Sequence, residues 1–184
     1  HRVRKDTVHL LQIKDANIYT KSYFRSNLQI VVKQRVKSTS FNDVVNMINT
    51  KYPDKSGIIY CLSRKNCEDL AENLQQCGIS CNAYHAGQSA KMRTDVQDKW
   101  YTGEIPLIIA TIAFGMGIDK KDVRYVIHFN LPFSIENYYQ EIGRAGRDGL
   151  NSDCILYYSD VDRVNAMKLT NYSLKQNITS RKML

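Results

Sequence analysis

The chain has 184 residues, 43% of them hydrophobic and 24% charged, and carries a formal net charge of +8. That is long enough for one domain with a real core and too apolar for a disordered chain. No signal peptide and no apolar run long enough to span a bilayer is present, and the basic balance, with a pI near 9.2, points to an acidic partner such as nucleic acid.

In chain order, His1 to Lys5 read as a basic linker and Leu28 to Val36 as an extended strand. Phe41, Val44, Val45 and Ile48 mark a helix. Gly57-Ile58-Ile59-Tyr60-Cys61 predicts a buried strand. A helix follows whose Cys67, Leu70, Ala71 and Leu74 share a face and which stops at Gly78. Asn82-Ala83-Tyr84 is a short strand. Met92, Val96 and Trp100 stripe the next helix, with Ser89 as its N-cap. Leu107-Ile108-Ile109-Ala110 is the strongest strand signal, and Tyr125 to Phe129 is another. Pro132-Phe133-Ser134 opens a helix whose Ile135, Tyr138, Tyr139 and Ile142 share a face. Cys154 to Tyr158 closes the sheet. From about Asp160 onward the chain reads as helical, polar and basic, the start of a further subdomain.

Strands alternating with helices predict βαβ units, an α/β domain with a mostly parallel sheet and helices on both faces. Ligands then sit beyond the carboxyl ends of the strands, where every segment discussed next is expected. The five cysteines are Cys61, Cys67, Cys77, Cys81 and Cys154. An odd number without Cys-x-x-Cys spacing argues against a disulfide framework and against a self-contained zinc site. Buried free thiols in a reducing compartment are the better reading, and no metal ligands are assigned in this chain.

Four segments carry chemistry. Tyr138 to Gly149 places Arg144 and Arg147 around an Ala-Gly pair, with Gln140 one turn upstream. A planar guanidinium fork matches phosphate oxygens, and such arginines stabilise charge as a γ-phosphate leaves. The bland reading is a basic helix end. Thr111 to Lys120 follows directly on a strand; Gly115 and Gly117 let backbone amides approach a phosphate or sugar, and Asp119 can accept from a ribose hydroxyl. A tight turn is the alternative. Cys61-Leu62-Ser63-Arg64 hands a strand to a helix, so Ser63 is either an N-cap or, with Arg64, a holder of a backbone phosphate. His85 in Tyr84-His85-Ala86-Gly87 is, alone, more often structural than catalytic.

In this order the four segments resemble the second RecA-like lobe of superfamily 2 helicases, above all the RecQ family and its Bloom-type enzymes. Gly57 to Arg64 is similar to helicase motif IV, Ala110 to Lys120 and on through Val123 to His128 to motif V, and Ser134 to Gly149 to motif VI. The motif VI wording is highly specific to that family and differs from that of DEAD-box RNA helicases. The resemblance implies a RecA-like three-layer α/β/α fold. It implies a helicase C-terminal lobe over residues 1–159 and the truncated start of a zinc-binding subdomain over 160–184. It implies Arg147 as the arginine finger, Arg144 as its neighbour at the nucleotide, Gln140 at the γ-phosphate region, and Gly117 and Asp119 against the nucleotide sugar or coupling it to DNA. Ser63, Arg64, His85 and Thr111 are implied to touch the backbone of single-stranded DNA. Gln88 stands where many relatives carry leucine.

The function implied is the second motor lobe of an ATP-dependent 3′-to-5′ DNA helicase. Its substrates would be single-stranded DNA and duplex junctions, in DNA repair and recombination, and its location nuclear if the source is eukaryotic and cytoplasmic otherwise. ATP and Mg2+ would be held mainly by a first RecA-like lobe, and zinc outside this chain. The sequence contains no Gly-x-x-x-x-Gly-Lys-Ser/Thr loop and no Asp-Glu-x-His box, so this chain alone is expected to be inactive. A catalytically inactive module holding nucleic acid or a protein is the alternative. An RNA helicase lobe is disfavoured by the motif VI wording.

Overall fold

The computed structural model describes residues 2–13, 17, 19, 22–115, 117–162 and 164. The reading of residues 160–184 as the entry to a zinc-binding subdomain, like Met116 of the Gly-x-Gly loop, falls largely or wholly outside them.

Six strands form one all-parallel sheet. They are β1 (Leu28–Gln34), β2 (Gly57–Tyr60), β3 (Cys81–Tyr84), β4 (Leu107–Ala110), β5 (Tyr125–His128) and β6 (Ser152–Tyr158), in the order β1-β6-β5-β2-β4-β3. Between them run α2 (Ser40–Lys51), α3 (Arg64–Gln76), α4 (Ala90–Thr102) and α5 (Ile135–Ile142). The period of two along each strand divides the core into two halves. Ile59, Leu107, Ile109, Ile127 and Ile155 pack with Val44 and Ile48 of α2 and with Cys67, Leu70 and Leu74 of α3. Ile58, Ile108, Val126 and Cys154 face the other way, onto Val96 and Trp100 of α4 and Ile142 of α5. The central strands are buried on both faces, as parallel strands between two helical layers must be.

Three of the helix starts are set by serine. Ser63, Ser89 and Ser134 each cap a helix, the side-chain oxygen accepting from the amide three residues on at 3.1–3.2 Å. Gly78, at φ +80°, lets the chain leave α3 in the left-handed region.

Several sequence expectations differ from what is found. The chain start is helical rather than a linker, as α1 (Arg2–Leu10). β6 does not close the sheet; it lies between β1 and β5, and β1 forms the edge with Ile30, Val31 and Val32 exposed. Met92 leaves the α4 stripe for solvent, and Ile135 and Tyr139 of α5 are exposed while Glu141 is buried. The apolar face of α5 is narrower than its sequence pattern because the buried Glu141 takes a core position, paired with His128. Four cysteines are buried free thiols; Cys77, at the exposed end of α3, is not buried. Burial pushes the Cys81 and Cys154 thiols up to about 12.

Candidate nucleotide and nucleic-acid site

Three of the four segments follow the carboxyl ends of β2, β3 and β4. The fourth does not. Residues 138–149 form the second half of α5 and the turns into β6, and Arg144 and Arg147 both sit on those turns. The turns reach back beside the entry to β5: the Gly146 N–H donates to Val123 O at 2.9 Å and the Asp148 N–H to Lys121 O at 3.2 Å. The two arginines meet the β4 loop because that loop runs along the same face before β5 begins.

Arg144 is 6% exposed, and its Nε has no hydrogen-bond partner among the described residues. Its guanidinium lies against Gly115, where an added Cβ would come within 3.1 Å of Nη2. Behind it, the Tyr60 hydroxyl donates to Phe114 O at 2.9 Å. Burial pushes that hydroxyl well above its ordinary range, and the Arg144 charge pulls partly back. Arg147 is more open. Its Nη1 donates to Ile118 O at 2.6 Å and to Asp119 Oδ1 at 2.9 Å, and its Nε reaches Gly143 O at 3.4 Å. The Asp119 N–H in turn donates to the Tyr101 hydroxyl at 2.7 Å. Gly117 holds φ +79°, which lets the loop turn there. Gln140 is exposed and makes no side-chain hydrogen bond among the described residues.

Two guanidinium groups therefore converge on one glycine-bearing loop. One is buried with an unused donor and the other is held at the rim by an exposed carboxylate. The arrangement fits a polyphosphate: fixed positive charge, spare donors, and backbone bare enough for close approach. Among the described residues no cluster of three His, Cys, Asp or Glu could hold a metal ion.

The other expected contacts gather separately. Ser63 and Arg64 are exposed at the start of α3. The Arg64 side chain lies along Gly87, where an added Cβ would meet its Cδ and Nη1 at 3.1 Å. Thr111 is half-buried; its N–H donates to Tyr84 O and its Oγ1 accepts from the Ala113 N–H at 3.4 Å. His85 is placed differently from a group that touches a ligand. It is 3% exposed, its Nδ1 accepts from the Gly87 N–H at 3.2 Å, and its Nε2 lies 3.0 Å from Glu68 Oε1. With Nδ1 accepting, Nε2 is the nitrogen placed to donate to Glu68 Oε1, and the two hydrogen bonds fix the turn. Gln88 closes that turn from within, accepting from the His85 N–H at 3.2 Å and donating to Ala83 O at 3.0 Å. That is a job leucine cannot do.

The sequence missed several participants. Tyr60, Tyr101 and Glu68 support the site from neighbouring elements, and Arg25 and Asn27 reach the arginine turn from 118 to 123 residues away. No local pattern marks such pairs.

Residues 39–149 match the helicase conserved C-terminal domain model. The chain is 45% identical over 171 residues to ATP-dependent DNA helicase Q1 of Pongo abelii, covering 91% of this chain and 26% of that protein. It is 48% identical over 169 residues to RecQ-like DNA helicase BLM of Xenopus laevis, covering 90% and 12%. ATP-dependent helicase SGS1 of Saccharomyces cerevisiae is 46% identical over 158 residues, covering 86% and 11%. The chain thus spans about a quarter or less of these relatives. Among solved structures, S. cerevisiae Dbp5 bound to RNA and ADP BeF3 superposes with a TM-score of 0.71 at 20% identity, over 91% of this chain and 45% of that one. Prp28 from Chaetomium thermophilum bound to ADP gives 0.67 at 27% identity, over 85% and 38%. The RecA-like α/β fold is common to them.

Proposed function

This chain belongs to the helicase conserved C-terminal domain family, in its RecQ type, and from that premise we propose that it is the second motor lobe of an ATP-dependent 3′-to-5′ DNA helicase. The observation that carries the proposal is the convergence of Arg144 and Arg147 on the loop from Gly115 to Asp119. ATP and Mg2+ are held mainly by a first lobe of the same parent protein, and zinc lies outside this chain. Arg147 reaches across the cleft as the finger, Arg144 neighbours the phosphates, Gln140 senses the γ-phosphate region, and Gly117 and Asp119 face the sugar.

The Arg147–Asp119 pair supports this role energetically. Asp119's side chain is 77% exposed, and pairs at that exposure are worth about 0–1 kcal/mol. A phosphate can displace the carboxylate at little cost, while the pairing keeps the fork near its working place beforehand. Ser63, Arg64 and Thr111 grip the backbone of single-stranded DNA, and His85 contributes by bracing the Gly87 turn beside Arg64. Closure of the two lobes on ATP shifts this grip along the strand. Action on duplex junctions in repair and recombination, in the nucleus if the source is eukaryotic, follows from the same reading. A binding module without catalysis has no use for two converging arginines, which favours the motor reading.

Two measurements test this at the level of the chain. The chain by itself, lacking a phosphate-binding loop, is expected to show no DNA-stimulated ATP hydrolysis; turnover at a rate typical of helicases would refute the division of labour. It is also expected to bind single-stranded DNA weakly, with affinity falling as salt rises and little dependence on base sequence. Arg64→Ala should reduce the slope of log K against log salt by roughly one. Binding that ignores salt, or reads sequence strongly, would contradict backbone contact.

A further inference from the structure

The turn that carries the two arginines is held from outside by a short segment near the start of the chain. Arg25 Nη1 donates to Gly143 O at 3.1 Å, and its Nη2 donates to Gly146 O. Asn27 Nδ2 donates to Gly146 O and to Leu150 O, both at 2.9 Å. Gly143 caps α5, so its carbonyl is one of those a helix end leaves without a partner. The clamped carbonyls bracket the functional side chains: Arg144 lies between Gly143 and Gly146, and Arg147 follows Gly146 directly.

The fit is close. Gly146 sits at φ +53°, and a Cβ there would lie 2.6 Å from Asn27 Nδ2, 2.7 Å from Leu150 O and 2.8 Å from Ser152 Oγ. Only glycine lets the segment approach this near. The segment is itself anchored. The Ser152 N–H donates to Asn27 O at 2.9 Å, and β1, which begins at Leu28, pairs along its length with β6. At its other end the Tyr139 hydroxyl donates to Tyr23 O. A second clamp closes the far side, where Arg124 Nη2 holds both Asp148 oxygens at 2.6–2.7 Å. That guanidinium keeps the Asp148 carboxyl below its ordinary range.

We propose that Arg25 and Asn27 are positioning residues for the arginine pair, fixing the backbone from Gly143 to Gly146 so that Arg144 and Arg147 stand ready for the nucleotide. The inference rests on the reading of Arg147 as the finger. Neither Arg25 nor Asn27 touches the nucleotide; both act through the turn. A planar fork can bridge two carbonyls at a set spacing, and a point charge cannot. Loss of the bridge removes two of the anchors that hold the turn, and a misplacement of about 1 Å costs on the order of 10²-fold in rate.

The test uses the full-length protein, with Arg25→Lys and the milder Asn27→Ala, each alone and in the Arg147→Ala background. DNA-stimulated kcat, KM for ATP and thermal melting are measured on all. Arg25→Lys is expected to lower kcat by on the order of 10²-fold while KM stays within about a factor of three. Asn27→Ala should lower kcat in the same direction by less. Once Arg147 is alanine, either change should lower kcat little further, because the group it positions is gone. Unchanged kcat with a lower melting temperature would show that the segment only stabilises the fold, and would overturn the proposal. So would a full multiplicative loss in the Arg147→Ala background. Should Arg147→Ala itself turn over normally, the finger reading falls and this proposal with it; normal dependence on Arg147 with an unaffected Arg25→Lys rejects this proposal alone.

Discussion

Arg147→Ala in the full-length protein is expected to leave ATP affinity nearly unchanged while turnover falls by on the order of 10³-fold or more. A finger acts on charge that develops in the transition state, so its loss is seen in kcat before binding. Arg147→Lys should rescue poorly, because one ammonium cannot supply two parallel donors. The bland account makes Arg147 a stabiliser of its own turn through Ile118 O and Asp119. On that account the variant would lose about 1 kcal/mol or less of stability for a partly exposed pair, melt slightly earlier, and keep its ATPase. Steady-state kinetics, nucleotide affinity and melting on the same protein separate the two. Near-normal turnover would reject the finger.

The second large effect is expected behind the site, at the buried pair of His128 and Glu141. His128 Nε2 lies 2.7 Å from Glu141 Oε2, with side chains 1% and 5% exposed. The His128 ring also stacks on Tyr60 at 5.3 Å and meets Tyr138 edge-on at 4.9 Å. His128→Ala removes the partner of the buried Glu141 carboxyl and leaves a cavity where the ring was. An unpaired buried polar group and lost ring packing together cost on the order of 3–5 kcal/mol. For a chain of this size that is a drop of roughly 10 °C in melting temperature. His128→Phe preserves the ring volume and still leaves the Glu141 carboxyl without its partner, so it should lose a large part of the same amount. His128→Phe with Glu141→Leu should recover most of the loss. Denaturant or thermal unfolding of the isolated chain checks all three. A loss below about 1 kcal/mol in His128→Phe would mean that Glu141 finds water or another partner, and that the pair does not hold this part of the core.

How far the sequence could be read depended on the distance over which each feature is set. The β2 and β4 strands were legible because Ile58, Ile59, Ile108 and Ile109 are buried on both faces, which leaves an apolar run with no alternation. The starts of α3, α4 and α5 were legible because a serine cap acts over three residues. Ile135 and Tyr139 misled because a tyrosine or isoleucine at helical spacing does not reveal whether anything covers it. β1 was found, yet its place at the edge depends on which strand pairs with it, and that is fixed only by β6. Three of the four chemistry-bearing segments were legible as loops after strands; the arginine turn, expected at the same end, follows α5 and lies beside the entry to β5. His85 could be named but not placed, since its burial depends on Glu68 and the amide of Gly87. The bracing by Arg25 and Asn27 was invisible, as nothing in a local window links residue 27 to residue 150.

That same separation governs the order in which the molecule is made. Asn27 and Leu150 are 123 residues apart, and the ribosome adds roughly 5–20 residues per second. β1 therefore emerges on the order of ten seconds before the strand it must pair with. During that interval neither edge of β1 is paired, and an apolar strand with both edges open is the kind of surface that recruits strands from other chains. Slower synthesis or crowded translation lengthens the exposure. Aggregation of nascent chains should therefore be sensitive to substitutions in β1 that leave the finished fold almost unaffected. The arginine turn, clasped by Arg25 and Asn27 from before β1, is completed only when the sheet is.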